Sequence, residues 1–362
     1  MYISRKMKNP IKVIIADQHF GARSDSPIFL DYFQKFYDDI FFPFIDKNKI
    51  TEIIDLGDTF DRRKFVNFLS FQRSREMYFD RLLERKIKLY SMLGNHTTYF
   101  KNTSKVNAVK ELCGMYPNIE IFDTATEVTF DKTKILFVPW INEENYEHSM
   151  KMIKTTTAKI LMGHLEIKGF LVNRSLRLAE GLEAKIFKKF KGVWSGHLHH
   201  KSQEGNISYL GSPYEIKFDD MNDPRGFHTW KSGTMKLEFH ENPYRMFYKI
   251  YYDDKEKTLD FLLKKINDKY QGAYIKVIVQ NRINPLFFDK FIEKLFNMNP
   301  ADVKIDDDLQ LSEEDANMKV DLTEDTLTIL NKYVDNLEID SNKDKIKEEI
   351  KILYTEAQGM DR

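Results

Sequence analysis

Cysteine is nearly absent. The only one in 362 residues, Cys113, excludes an intramolecular disulfide and a cysteine-rich zinc site. Such usage fits a reducing, cytoplasmic setting. Long apolar runs are missing too. ILFVPWI at 135–141 is among the longest, far short of the roughly 20 residues that span a bilayer. The basic start MYISRKMKNP is followed by no apolar core segment, so neither a secretory signal nor a membrane association is expected. Charge of one sign is not in excess either. The 56 basic and 56 acidic residues cancel, and any nucleic-acid contact must come from local patches. There is no G-x-S-x-G elbow and no Walker A loop, which argues against serine-hydrolase chemistry and against ATP hydrolysis in this chain. Internal repeats and low-complexity segments are absent. What is present is a soluble, globular composition, 42% hydrophobic and 31% charged, long enough for two or three domains.

Apolar, β-branched runs recur at IKVIIAD (11–17), TEIIDLG (51–57), IKLYSMLG (87–94), KILFVPW (134–140), AKILMG (158–163) and GVWSG (192–196). Each is about one strand long, and helix-length segments at 27–46 and 64–85 separate the early ones. Strand–helix alternation predicts an α/β layer with buried central strands. The later strands lie closer together, with turn signals EGN (204–206) and KSG (231–233), and predict a second, more antiparallel sheet packed on the first. From 241 a smaller βαβαβ unit is expected: strands at 246–252, 274–280 and 302–306, helices at 258–266 and 285–296. Residues 306–325 are acidic and read as a solvated linker. Two helices close the chain, with Thr323 and Ser341 as caps and a narrow apolar seam on each. A helical hairpin of this kind docks either on its own chain or on another helix.

The chemistry sits at strand ends. ADQH (16–19), GDTFD (57–61), GNH (94–96), GH (163–164) and GHLH (196–199) each follow an apolar run, and they hold five of the nine histidines. In open α/β sheets, sites form beyond the carboxyl ends of strands. That rule gathers Asp17, His19, Asp58, Asn95, His96, His164, His197 and His199. Singly, each motif is more simply a turn, a helix cap or a satisfied histidine; as an ordered set they point to one site. Asp, Asn and His without sulfur suit Mn, Fe, Zn or Co rather than a structural zinc or calcium. The donors are too many for one four-coordinate ion and enough for two ions sharing a carboxylate, an arrangement suited to phosphoryl transfer. Read as an extended segment, 197–200 turns His197 and His199 to one side, and Leu198 and His200 to the other.

The ordered motifs D-x-H, G-D-x-x-D, G-N-H, G-H and G-H-x-H resemble the calcineurin-like metallophosphoesterase superfamily. The stretches VWSGHLHH, YLGSPYE (209–215) and NDPRGF (222–227), with the appended small unit, are similar to its SbcD-type DNA-repair nuclease subunits, nearest to the small subunit of the phage recombination endonuclease. The resemblance implies a four-layer metallophosphoesterase fold of class α/β, two packed mixed sheets flanked by helices. A nuclease domain at 1–240, an α+β capping domain at 241–308, an acidic linker at 309–322 and a C-terminal helical hairpin at 323–362 follow from it. It implies two divalent metal ions, Mn²⁺ by preference with Mg²⁺ or another transition metal as alternatives. Asp17, His19 and His199 then hold one ion, Asn95, His164 and His197 the other, and Asp58 bridges them. His96 is the catalytic histidine, and Asp61 orients a ligand or His96. His200 is left as a bystander. Implied partners are DNA and an SMC-like, SbcC-type ATPase gripped by the terminal helices, with a homodimer inside a heterotetramer; for a viral protein the setting is the host cytoplasm. The expected activity is metal-dependent cleavage of DNA phosphodiesters, by an exonuclease on duplex ends and an endonuclease on single strands. A phosphatase or phosphodiesterase acting on a phosphoprotein or small molecule, and a non-catalytic scaffold, are the alternatives.

One departure stands out. The third motif usually continues with an acid, whereas Thr97 stands here, a poorer partner for a charged histidine. Two basic stretches also need explaining. Residues 62–88 carry nine basic residues against three acids, and KIFKKFK (185–191) interleaves lysines with aromatics. Each reads as a phosphate grip or as a solvated face. The first, with Phe65, Phe68, Leu69, Phe71 and Phe79, reads also as a dimer interface. Arg225, after Pro224, is a further phosphate contact or part of a structural turn.

Overall fold

A computed structural model describes residues 11–174, 176–307, 334 and 343–350. In chain order the strands are β1 (Ile11–Ile15), β2 (Glu52–Asp55), β3 (Lys88–Met92), β4 (Ile119–Phe122), β5 (Thr126–Phe130), β6 (Thr133–Val138), β7 (Ile160–His164), β8 (Gly192–Gly196), β9 (Ser202–Glu204), β10 (Ile207–Tyr209), β11 (Gly226–Lys231) and β12 (Leu237–Glu241). They form two six-stranded sheets, ordered β12-β11-β1-β2-β3-β4 and β5-β6-β7-β8-β10-β9. The class is α/β with mixed sheets. β1 to β4 run parallel, as do β6, β7, β8 and β10; β5 and β9 are antiparallel edge strands, and the first sheet ends in the antiparallel run β1-β11-β12.

Strand periodicity explains the layering. Alternate residues of a strand face opposite sides, and both sides here are apolar. On β1, Val13 and Ile15 face helices, while Ile14 joins a core shared between the sheets. That shared core takes Ile54 and Met92 from one sheet and Ile135, Met162 and Trp194 from the other. The outer face of the first sheet is covered by helices Pro27–Phe36 and Phe42–Asn48, joined by a π turn over Tyr37–Phe41, and by the helical run from Phe68 to Glu84. Helix Tyr146–Thr155 and the turn Ala184–Phe187 contribute to the core on the outer face of the second.

The later strands depart from the expected plan. The KSG turn does join an antiparallel pair, but β11 and β12 return to the first sheet, where β11 pairs with β1. The second sheet is parallel at its centre, built from the runs at 134–140, 158–163 and 192–196. Buried parallel strands of either sheet carry the same continuous apolar signature, so the sequence pattern does not show where one sheet ends and the next begins. The helix expected at 64–85 starts at Phe68, because the Asn67 side chain caps it by accepting from the Leu69 N–H at 2.8 Å.

The smaller unit has the expected order of elements: β13 (Phe247–Asp253), helix Leu259–Lys264, β14 (Tyr274–Asn281), helix Pro285–Phe296 and β15 (Asp302–Asp307), in one three-stranded sheet with its own apolar core. Glu215, at the end of YLGSPYE, anchors it to the larger part. Its buried carboxylate accepts from the Met246 N–H at 2.7 Å and the Phe247 N–H at 3.0 Å. The described residues up to Asp306 pack as one compact unit, and a second begins at Asp307. Of the expected terminal hairpin, residues 343–350 are helical, and apart from Val334 the rest lies outside the described residues. No helix among the described residues is long and apolar enough to cross a membrane.

Candidate metal centre

All five motifs meet. Asp17 and His19 follow β1, Asp58 and Asp61 follow β2, and Asn95 and His96 follow β3. His164 ends β7, while His197 and His199 follow β8. The carboxyl ends of parallel strands from both sheets therefore open onto one place. The backbone there is held in an unusual conformation. Asp17, His19, Asp58 and His197 all have left-handed φ, between 47° and 86°, a region costly for residues with a Cβ and common at functional sites. Two glycines make the close approach possible: a Cβ on Gly94 would meet the Asp58 carboxylate at 2.1 Å, and one on Gly57 would meet the His164 ring at 2.7 Å.

Three groups of side chains converge: Asp17, His19 and His199; Asp58, His164 and His197; and His19, Asp61 and His96. Asn95 joins the second through its Oδ1, 3.0 Å from His164 Nε2 and 2.9 Å from His197 Nδ1. The two Nε2 atoms of His19 and His199 lie 3.0 Å apart. Asp58 Oδ2 lies 3.3 Å from His164 and 3.9 Å from His19, between the two groups. Two ligands each about 2.1 Å from one ion are roughly 3.0–3.4 Å apart at right-angled to tetrahedral geometry, so the donor spacing fits divalent cations.

Electrostatics agree with a cation-binding cluster. Burial alone would raise the Asp58 carboxyl, but His164 and His19 outweigh it and hold it far below its usual range. Burial pushes Asp17 up to about 6. It opposes charge on His164 as well, yet Asp58 lifts that ring to about 9. Burial depresses His197 to about 3 and takes His199 well below its ordinary value. Protons on some rings thus occupy the role that a metal's charge would fill.

The surroundings orient these groups. The Asp61 carboxylate contacts His19 Nδ1 at 3.0 Å, while its backbone carbonyl contacts His96 Nδ1 at 2.6 Å. The Leu56 carbonyl accepts from His164 Nδ1 at 2.9 Å. Asp17 accepts from the His197 N–H at 2.9 Å. Behind them, buried Asp55 accepts from Gln18, Gly57 and Thr59. The Thr97 hydroxyl bonds to Gly94 instead of the His96 ring: it accepts from the Gly94 N–H at 3.0 Å and donates to the Gly94 carbonyl at 2.9 Å, closing the 94–97 turn.

His197 and His199 both enter the centre, and Leu198 packs in the core of the second sheet. His200 turns to Asp223 at 2.6 Å. The expected route to this placement is not the observed one, since β8 stops at Gly196 and His197 has a φ of 86°. Arg225 is 1% exposed; it binds Asp220 and Asp223 at 3.0 and 3.1 Å and the carbonyl of His199, so it braces the loop and is out of reach of a phosphate. In KIFKKFK, Phe187 and Phe190 are core residues and the lysines are exposed, so no aromatic there is free to stack on a base. Sequence reasoning missed Trp140 and Glu166. Trp140 Nε1 donates to Glu166 Oε1 at 2.9 Å, and that oxygen lies 3.8 Å from His197 Nε2. The acid two residues after His164 was the available signal.

The chain is 31% identical to exonuclease subunit 1 of Enterobacteria phage T4 over 350 residues, covering 95% of this chain and 98% of that protein. The chain belongs to this nuclease-subunit family. The SbcD component of the nuclease SbcCD from Staphylococcus saprophyticus is 26% identical over 214 residues, 51% of this chain and 56% of that one. No family model matches. A solved archaeal phosphodiesterase overlaps 64% of the chain and 99% of its own length at 8% identity and a TM-score of 0.30, too low to argue from.

Proposed function

We propose that the chain is the two-metal DNA nuclease subunit of an SbcCD-like recombination and repair complex. The single observation that carries the reading is the convergence of seven Asp, Asn and His side chains from five strand ends with donor spacings near 3 Å. Asp17, His19 and His199 hold one divalent ion, Asn95, His164 and His197 the other, and Asp58 lies between. The oxygen and nitrogen donors suit Mn, Fe, Zn or Co alike, and the choice of Mn²⁺ rests on the family resemblance. When bound, such a pair supplies a hydroxide nucleophile and neutralises phosphoryl oxygens. The protein's own part is positional. His96 donates its Nδ1–H to the Asp61 carbonyl, which leaves Nε2 as the free end of the ring. Burial lowers the ring's pKa from its ordinary value in the resting protein; a phosphate arriving beside it favours protonation from solvent, and Nε2 then passes that proton to the leaving oxygen.

The packed sheets flanked by helices suit the four-layer metallophosphoesterase fold, and the smaller unit suits a capping role. Residues 323–362 are assigned to the SMC-like ATPase partner. A homodimer is supported by exposed Phe65, Phe68 and Leu69, with Phe68 91% exposed.

The deciding experiment gives purified protein Mn²⁺ with linear duplex DNA and, separately, a generic phosphomonoester. DNA is expected to be degraded. Turnover of the monoester alone would favour a phosphatase instead. His96→Ala is expected to abolish cleavage while Mn²⁺ binding persists; normal cutting by that variant refutes the catalytic assignment.

A further inference from the structure

The basic run 62–88 sorts itself by partner. Arg62, Arg73, Arg75, Arg81, Arg85 and Lys88 each lie within ion-pair distance of a carboxylate. Lys64 and Lys86 are exposed. Arg63 is different. It is half-buried and makes no ion pair among the described residues. Its guanidinium stacks on the Trp140 ring, 5.0 Å from the centroid, and Nη1 donates to Thr98 Oγ1 at 3.3 Å.

That platform is fixed to the metal centre. Trp140 is 9% exposed; its backbone N–H donates to the Leu93 carbonyl at 2.8 Å, and its indole N–H is held by Glu166 beside His197. Thr98 comes directly after the turn that carries Asn95 and His96. A guanidinium offers five N–H donors in a planar fork, and stacking on an aromatic face fixes its plane in advance. Here one donor is taken by a neutral hydroxyl and no carboxylate claims the others. A half-buried arginine that feels Asp58 and Glu166 only at longer range, with no carboxylate within ion-pair distance among the described residues, and that stands rigid beside a centre built for phosphodiesters, is matched to a phosphate.

We propose that Arg63, stacked on Trp140, is a substrate-binding residue that takes the DNA phosphate next to the scissile one. The inference rests on the DNA reading above. The neighbouring phosphate is favoured because Arg63 is held at the edge of the centre, by Trp140 and Glu166 on one side and by Thr98, two residues past His96, on the other, and is itself within ion-pair distance of none of the clustered carboxylates. The clustered Asp and His groups are themselves placed for the reacting phosphate.

The test measures Mn²⁺-dependent kinetics on a duplex oligonucleotide and on bis(p-nitrophenyl) phosphate, which has no neighbouring phosphate. Arg63→Ala is expected to raise KM for DNA about tenfold or more, the loss of one charged hydrogen-bonding group. It should leave kcat on DNA and turnover of the small diester within about twofold, and lower the salt slope of DNA binding by about 1. Arg63→Lys keeps the charge but not the planar fork, and should restore the slope with only partial recovery of KM. An unchanged KM for DNA overturns the proposal, as do equal losses on both substrates, which would place Arg63 at the reacting phosphate. Wild-type protein that cleaves the small diester and leaves DNA intact would refute the DNA reading and this proposal together. That outcome is separable from the first two, because it appears without any variant.

Discussion

His19 and His199, 180 residues apart in sequence, bring their Nε2 atoms to 3.0 Å. Two ring nitrogens at that distance either share one proton or face a common cation. His19 is already held at its other nitrogen by Asp61, which frees Nε2 as a ligand. His199→Ala is therefore expected to remove one of two Mn²⁺ sites and leave the Asn95, His164 and His197 group able to bind. Counting bound Mn²⁺ by titration calorimetry checks this; two intact sites in the variant would disprove the partition. The wild-type protein is expected to melt at a higher temperature with excess Mn²⁺ than after chelation, by about 2.7 kcal/mol of stabilisation at a hundredfold excess over Kd.

Asp61 serves two histidines by two routes: its carboxylate meets His19 and its carbonyl meets His96. Only the first is removed by mutation. Asp61→Ala is expected to weaken Mn²⁺ binding about 10- to 100-fold, the usual cost of losing a group that orients a ligand. Asp61→Asn keeps an acceptor oxygen and should lose much less. Equal losses in both variants would show that the negative charge, rather than orientation, is what His19 requires.

Thr97 has a structural task. Buried and bonded twice to Gly94, it shapes the turn that presents Asn95 and His96. Thr97→Val preserves volume and leaves the Gly94 N–H without its partner. A loss of about 1–3 kcal/mol is expected, read by denaturant unfolding. Stability within a few tenths of wild type would mean that the hydroxyl is dispensable.

These particulars show what was legible in the sequence. Strand ends carrying Asp17, Asp58, Asn95, His164 and His197 were readable because buried parallel strands are continuous apolar runs closed by glycine or a polar residue. The return of β11 to pair with β1 was not, since that pairing is set by packing between distant segments. Backbone at His197 was read as extended, but a left-handed φ there is enforced by tertiary contacts such as the Asp17 bond to its N–H. Trp140 and Glu166 belong to no motif; only folding sets them beside Arg63 and His197. Charge counts likewise overstated the basic run, because Asp31, Asp38 and Asp46 lie on other helices and neutralise it in space.

His228 gives a pH signature separate from the metal centre. It lies on β11, 6% exposed, against Phe239. Burial first, then the charges of Lys201 and His240, depress its pKa from the ordinary 6.5 to about 3. Between those values the unfolded chain binds a proton that the folded chain refuses. This contribution to stability is therefore complete above pH 6.5 and is lost as pH falls toward 3. Between pH 7.5 and pH 5 the loss from this one group is about 2 kcal/mol. His228→Gln removes the titration, so the variant should lose less stability than wild type over that interval, by about the same amount. Denaturant unfolding of both proteins with chelator present isolates the difference, because the histidines of the centre titrate alike in each. A gap between variant and wild type that is the same at both pH values would show that His228 accepts its proton in the folded state.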